Sequence, residues 1–158
     1  MDDAPSNAGT KQLGDHVGPL LRDSAVFRAS WERQSASCLD PRIRAAIALA
    51  PAPTVRSFVP ESLAAIMAPV TIIVGQADRE APVETCSRWL KSLIPESRLH
   101  LLGRDVGHYT LLCAGTDEGQ SREPEIWADP PGVDRDRVHE AVIRLALSVW
   151  SRHLMVRV

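Results

Sequence analysis

Short apolar runs alternate along the chain with segments whose apolar residues recur every three or four positions. Three runs are typical of buried strands because they are short and bounded by proline or glycine: IRAAIALA at 43–50, VTIIVG at 70–75 and RLHLL at 98–102. Four segments carry helical spacing or helix-start and helix-end signals: 24–39, 60–68, 82–93 and 134–153. This alternation predicts an α/β fold with about three parallel strands and flanking helices.

Two stretches lack such a pattern. Residues 1–23 are polar and hold three of the nine glycines, so we expect a flexible lead-in without regular structure. Residues 114–132 are acidic and rich in proline and glycine, which predicts an irregular loop. The sequence therefore divides into a lead-in at 1–23 and a folded part at 24–158.

Composition and charge limit the function classes. The chain has 158 residues, 44% of them hydrophobic and 24% charged, which is the balance of one globular domain. A net charge of −2 leaves no basic excess for nucleic acid. No apolar run approaches the roughly 18 to 20 residues that span a bilayer, and the acidic start does not resemble a secretory signal. We expect a cytoplasmic protein that binds neither nucleic acid nor membrane.

The cysteines and glycines disfavour two further classes of site. Cys38, Cys86 and Cys113 are an odd and widely spaced set, which argues against a disulfide framework and a close metal-binding pair. A metal centre needs three or four converging ligands. A nucleotide-binding domain needs a glycine-rich loop between a strand and a helix, and the sequence has none.

Two polar residues follow predicted strands, where α/β proteins place their reactive groups. Asp78 ends GQAD directly after VTIIV, and His108 ends DVGH a few residues after RLHLL. Because neighbouring parallel strands end at the same edge of a sheet, we expect the two side chains to meet. A carboxylate that accepts a hydrogen bond from one imidazole nitrogen leaves the other free to take up and return a proton. The pair is a candidate catalytic acid and base.

Each residue also has a plain structural interpretation. Asp78 alone could cap a turn or a helix, and His108 alone could be a surface residue. Asp105, three residues before His108, is a turn residue rather than a replacement acid. His139 is expected on a helix surface. The ordered pattern of strand, GxxD, helix, strand and GH favours a joint role for Asp78 and His108.

Four sequence blocks follow one another with characteristic spacing: DPRIRAAIALAPA, PESLAAIMAPVTIIVGQADREAP, SRLHLLGRDVGHYTLL and PEIWADPPGVDRDRVHEAVIRLAL. Over about residues 24–150 the chain resembles the carboxyl-terminal half of an α/β-hydrolase, and more narrowly the predicted dienelactone hydrolase-like group. The resemblance implies that Asp78 is the triad acid and His108 the triad histidine. It also implies hydrolysis of an ester or lactone through an acyl-enzyme, without a metal or organic cofactor.

The sequence departs from this family at the nucleophile. α/β-Hydrolases carry it in a G-x-S-x-G or G-x-C-x-G elbow ahead of the acid, and neither motif occurs here. The oxyanion donors belong to the same missing part. Cys113 lies close to His108 in sequence, but the loop leads away from the elbow position, which disfavours a Cys–His pair. In the group that the chain resembles, a cysteine at the position of Trp127 could pair with one at the position of Cys113, so the resemblance implies that Cys113 is unpaired here.

Two hypotheses follow. In the first, the chain is the carboxyl-terminal part of an α/β-hydrolase that cleaves a small acyl ester or lactone. The amino-terminal half of its sheet is then missing, and the isolated chain is inactive. In the second, the chain has a non-catalytic interaction or split-protein role. Its exposed sheet edge and apolar flank would then self-associate or pair with an amino-terminal half.

Overall fold

The computed structural model describes residues 8–33 and 39–154. The chain divides into two compact units, Met1–Cys38 and Leu39–Val158. The boundary therefore falls at residue 38, whereas the sequence placed the start of the folded part at residue 24. The first unit contains helices α1, Ala8–Asp23, and α2, Ala25–Glu32.

Helix α1 contradicts the expectation that the lead-in has no regular structure. Three glycines and Pro19 disfavour a helix there, but they do not prevent one. Apolar residues recur at helical spacing in the same segment: Leu13, Val17, Leu20 and Leu21. The Arg28 guanidinium also donates hydrogen bonds to the Leu21 and Arg22 carbonyl oxygens at the end of α1. The two helices of this unit pack against each other.

Helix α2 begins where the sequence predicts. The Phe27 N–H donates to Ser24 Oγ at 3.2 Å, so Ser24 caps the helix as expected. Regular helix ends at Glu32. The remainder of the predicted helix, at 34–38, lies outside the described residues.

Three parallel strands form the sheet of the second unit in the order β1, β2, β3. Their bounds are Ala46–Leu49 for β1, Val70–Gly75 for β2 and Ser97–Leu102 for β3. All three predicted strands and their parallel arrangement are confirmed, although β1 begins three residues later than predicted. Every residue of the central strand β2 is buried, which explains its unbroken apolar run.

Five helices accompany the sheet: α3, Pro60–Ala64; α4, Ser87–Leu93; α5, Asp117–Arg122; α6, Pro124–Trp127; and α7, Arg135–His153. Two 3₁₀ helices lie at Pro53–Ser57 and Tyr109–Leu111. The segment predicted to open α4 at Pro82 forms turns instead. There the Arg88 N–H reaches back five residues to the Val83 carbonyl oxygen, out of α-helical register.

Helices α5 and α6 correct the prediction of an irregular loop at 114–132. Thr116 caps α5 by accepting a hydrogen bond from the Gly119 N–H at 3.1 Å. Asp117 and Glu118 lie in the first turn of α5, where the helix dipole favours negative charge. Pro124 lies at the start of α6, a position that tolerates proline. The residues at the helix starts therefore favour helices in a segment that has no helical periodicity.

Helices cover both faces of the sheet. On one face, α3 and α4 pack over a cluster of buried residues: Val55, Leu63, Val70, Ile72, Ala81, Cys86, Leu90 and Ile94. On the other face, Val138, Val142 and Leu145 of α7 pack against a cluster that includes Ile73 and Val106. The second unit is therefore an α/β structure whose parallel strands all end at one edge. None of the described helices is long and apolar enough to cross a bilayer.

Candidate active site

The turn after β2 lies against the loop after β3. A Cβ added at Gly75 would lie 2.2 Å from the Val106 carbonyl oxygen, so only glycine permits this approach. The Ala77 N–H donates a hydrogen bond to the same oxygen at 3.0 Å. The backbone itself therefore joins the two loops that carry Asp78 and His108.

Asp78 is buried, and both of its carboxylate oxygens have partners. Oδ1 accepts a hydrogen bond from the Ala81 N–H at 2.7 Å. Oδ2 accepts one from His108 Nδ1 at 2.8 Å. The two hydrogen bonds offset the cost of removing the carboxylate from water. Asp78 thus has both of the roles considered for it, as a turn-capping residue through Oδ1 and as the partner of His108 through Oδ2.

The His108 imidazole has one anchored nitrogen and one free nitrogen. Its side chain is 29% exposed. Because a carboxylate can only accept, Nδ1 carries the proton of the 2.8 Å hydrogen bond. In the part of the chain that the structure describes, Nε2 has no hydrogen-bond partner. The structure brings the two predicted site residues together and leaves Nε2 open to take up a proton.

A partly buried hydrogen-bond network, which no sequence pattern indicated, begins two residues after His108. Thr110 Oγ1 donates to Asp129 Oδ1 at 2.8 Å, and His139 Nε2 donates to the Thr110 carbonyl oxygen at 2.9 Å. Arg135 Nε donates to Asp129 Oδ2 at 2.8 Å. His139 is therefore half-buried and hydrogen-bonded, not on an outward helix surface as predicted. We call residues 103–135 the histidine segment, since this network ties its later parts to His108.

Electrostatics hold Asp129 in its ionised form. Burial by itself would raise the pKa of the Asp129 carboxyl group. Hydrogen bonds from Arg135 and Thr110, together with the positive charge of Arg135 and an interaction with His139, outweigh that effect and lower the pKa below its ordinary value. Asp129 and Arg135 are six residues apart, on either side of a Pro-Pro-Gly turn, and no helix or strand periodicity predicts that two such residues meet. The only sequence signal was the charge of the two residues.

No hydrogen bond joins the other described candidates, Cys86, Cys113 and Asp105, to His108. Cys86 is buried and Cys113 exposed, both as free thiols, whereas Cys38 lies outside the described residues. Asp105 is exposed in a turn, as expected. No group of three metal-binding side chains is present among the described residues. Among them, too, no serine or cysteine side chain is hydrogen-bonded to His108, so the geometry offers a candidate acid and a candidate base but no candidate nucleophile.

Comparisons with known proteins add little to this geometry. No protein-family model and no curated protein matches the chain. Among solved structures, the chain is similar to a meta-cleavage product hydrolase from Pseudomonas fluorescens with bound acetates. The two are 28% identical over 43% of this chain and 22% of that enzyme, with a TM-score of 0.31. The match thus spans about a fifth of the enzyme's length. That neighbour is a hydrolase, and nothing found bears on the dienelactone hydrolase-like group, which stays a prediction.

Proposed function

We propose that Asp78 and His108 are the acid and base of a hydrolytic triad in an α/β-hydrolase-type site. The observation that carries the proposal is the 2.8 Å hydrogen bond from His108 Nδ1 to the buried Asp78 carboxylate, with Nε2 left open. The reaction is hydrolysis of a small ester or lactone, of the kind that dienelactone hydrolase-like enzymes act on, through an acyl-enzyme. The nucleophile comes from a segment or chain outside the described residues.

In the proposed mechanism each residue has its own step. His108 Nε2 accepts the proton of the attacking hydroxyl or thiol, and later returns that proton to the leaving alcohol oxygen. Asp78 keeps Nδ1 protonated and stabilises the imidazolium while it exists. The hydrogen bond from the Ala81 N–H holds Asp78 in place, because it fixes the oxygen that does not face His108. All proton transfer therefore passes through Nε2, the nitrogen that is not bound to Asp78.

Hydrolysis assays on the isolated chain test the missing nucleophile. We expect no turnover of a short-chain aryl ester by the wild-type chain, because an acid and a base without a nucleophile form no acyl-enzyme. Turnover that disappears in both His108→Ala and Asp78→Ala would overturn this expectation. It would mean that a nucleophile lies within the chain.

Complexes purified through a tag on this chain test the catalytic role. A complex containing the wild-type chain should hydrolyse the aryl ester. A complex of His108→Ala with the same partner should lose at least about a hundredfold in rate, which is the smallest usual contribution of a general base. An inactive wild-type complex, or equal rates for the two, contradicts the proposal.

A second candidate function, pairing with another chain, is favoured by the outer edge of β1, which pairs with no other described strand. β1 is an edge strand, and Leu49 at its end is 42% exposed. On α7, Ile143, Leu147 and Trp150 are all about half exposed and lie on one face. A parallel strand added along β1 would end at the same edge as Asp78, about 10 Å from β2 at ordinary strand spacing. The partner of this candidate is therefore a chain that supplies such a strand.

Light scattering tests this second function, since an uncovered partner surface should make the chain self-associate when alone. Ile143→Glu and Leu147→Glu should restore a monomer, whereas Arg144→Ala, an exposed neighbour on the same helix, should not. A monodisperse wild-type monomer would count against a partner at this surface.

A further inference from the structure

We propose that Asp129 and Arg135 are positioning residues, which act through Thr110 to hold the His108 imidazole against Asp78. This inference rests on the proposed function and deepens it, because it says what keeps the base aligned. Neither residue touches His108, and neither follows a strand, so neither has the position of a catalytic group in the sequence.

On the amino-terminal side of His108, the chain is anchored at Val106, which is 4% exposed. The Val106 carbonyl oxygen is fixed by the Ala77 N–H. Gly107 follows, and a Cβ added there would meet nothing within 4 Å. A glycine in open space constrains backbone direction weakly. Because Gly107 separates this anchor from His108, we infer that the turn on the carboxyl-terminal side of His108 also sets the orientation of the imidazole.

On that side, His108 begins a 3₁₀ turn that contains Thr110. The Leu111 N–H donates to the His108 carbonyl oxygen at 3.2 Å, which closes the turn. Thr110 is 3% exposed and is held at two points. Its hydroxyl donates to Asp129, and its carbonyl oxygen accepts from His139. A displacement of Thr110 therefore moves the turn that carries the imidazole.

Arg135 fixes the aspartate that holds Thr110. Its guanidinium donates through Nε and Nη2 to the two oxygens of Asp129, at 2.8 and 3.2 Å. It also donates to the carbonyl oxygens of Cys113 at 2.8 Å and Ile126 at 3.3 Å. Arg135 is itself buried, at the first position of α7. One side chain thus anchors three points of the histidine segment to a helix packed on the sheet.

The test is the NMR signal of the His108 Nδ1 proton in the full chain labelled with ¹⁵N. In the wild type we expect a Nδ1-protonated ring whose proton exchanges slowly with water. Thr110→Val removes one hydroxyl and keeps the shape and the backbone carbonyl, while Asp129→Asn removes the charge. Both should speed exchange of that proton roughly five- to tenfold, the effect of losing one ordinary hydrogen bond. Thr110→Ser should restore the wild-type rate.

The matched control is Glu118→Gln, which breaks an exposed ion pair with Arg122 in the same segment and should leave the signal unchanged. A merely structural role would lower the unfolding midpoint without moving the His108 signal. Folded Thr110→Val with wild-type exchange would therefore overturn the inference, even if Asp129→Asn did not fold. A wild-type chain without the Nδ1 signal would instead overturn the proposed function, so the two failures are distinguishable.

Discussion

The two halves of the candidate site are held in different ways. The acid turn, residues 75–81, contains one local hydrogen bond of its own, from the Ala81 N–H to Asp78 three residues before it, and Gly75 lies against the backbone of Val106. The histidine segment is held by partners far away in sequence. Thr110 binds Asp129, 19 residues on, and His139, 29 residues on.

This difference predicts which kind of substitution disrupts each half. The acid turn depends on backbone geometry that follows directly from a buried strand, so a steric change should break it. The histidine segment depends on one buried ion pair, so a change of charge should break it. The two halves should therefore fail independently, except where they meet: at the contact of Gly75 with Val106 and at the hydrogen bonds Ala77–Val106 and Asp78–His108.

Arg135→Met should have the largest effect. It leaves the Asp129 carboxylate largely buried without its cation, and we expect a loss of about 4 kcal/mol in the free energy of unfolding. Chemical denaturation followed by tryptophan fluorescence measures it. Arg137→Met, which breaks an exposed pair with Asp134 on the same helix, should cost less than about 1 kcal/mol. Similar losses for the two variants would show that the buried pair does not hold the segment.

Hydrogen exchange compares the same two halves amide by amide. In Arg135→Met, amides between Tyr109 and Asp129 should exchange faster, because their anchors are lost. The Ala81 amide, which is bound to Asp78, should stay protected. Equal loss of protection in both places would mean that the two halves unfold as one unit.

Gly75→Ala should have the next largest effect. The added Cβ would overlap the Val106 carbonyl oxygen, so the two loops must separate, at a cost of about 3 kcal/mol. The Nδ1 signal of His108 should weaken as well. Gly107→Ala is the control, because a Cβ there meets nothing within 4 Å, and its effect should stay below about 1 kcal/mol. Wild-type stability in Gly75→Ala would show that the close approach is not required.

The smallest effect is the pH dependence that Asp129 adds. The folded-state pKa of Asp129 is lowered from its ordinary value of 3.8. Its contribution to stability is therefore fully present above pH 3.8, and is lost as the pH falls through the folded pKa. At pH 7 we expect the wild type to exceed Asp129→Asn by about 2 kcal/mol. Urea titrations at descending pH should show that difference shrinking below pH 3.8, and a constant difference would contradict this assignment.

Local patterns predicted the strands and the acid turn well. VTIIVG is buried along its whole length, so its apolar run identified β2 to the residue. Asp78 and His108 follow neighbouring parallel strands, and that order predicted their meeting. The network of Thr110, Asp129 and Arg135 was not predicted, because its members lie on three elements with no common spacing. The helix at Ala8–Asp23 was missed because its glycines and proline outweighed its leucines in the interpretation.

The sequence by itself determined the α/β class, the parallel strands and the two residues that meet at their ends. These depend on strand length, strand order and the residue after each strand, all of which are local. Only the tertiary structure decided which nitrogen of His108 is bound, that Asp78 uses both oxygens, and that Arg135 anchors the histidine segment. Those features are hydrogen bonds between buried groups, and their partners are chosen by packing in three dimensions.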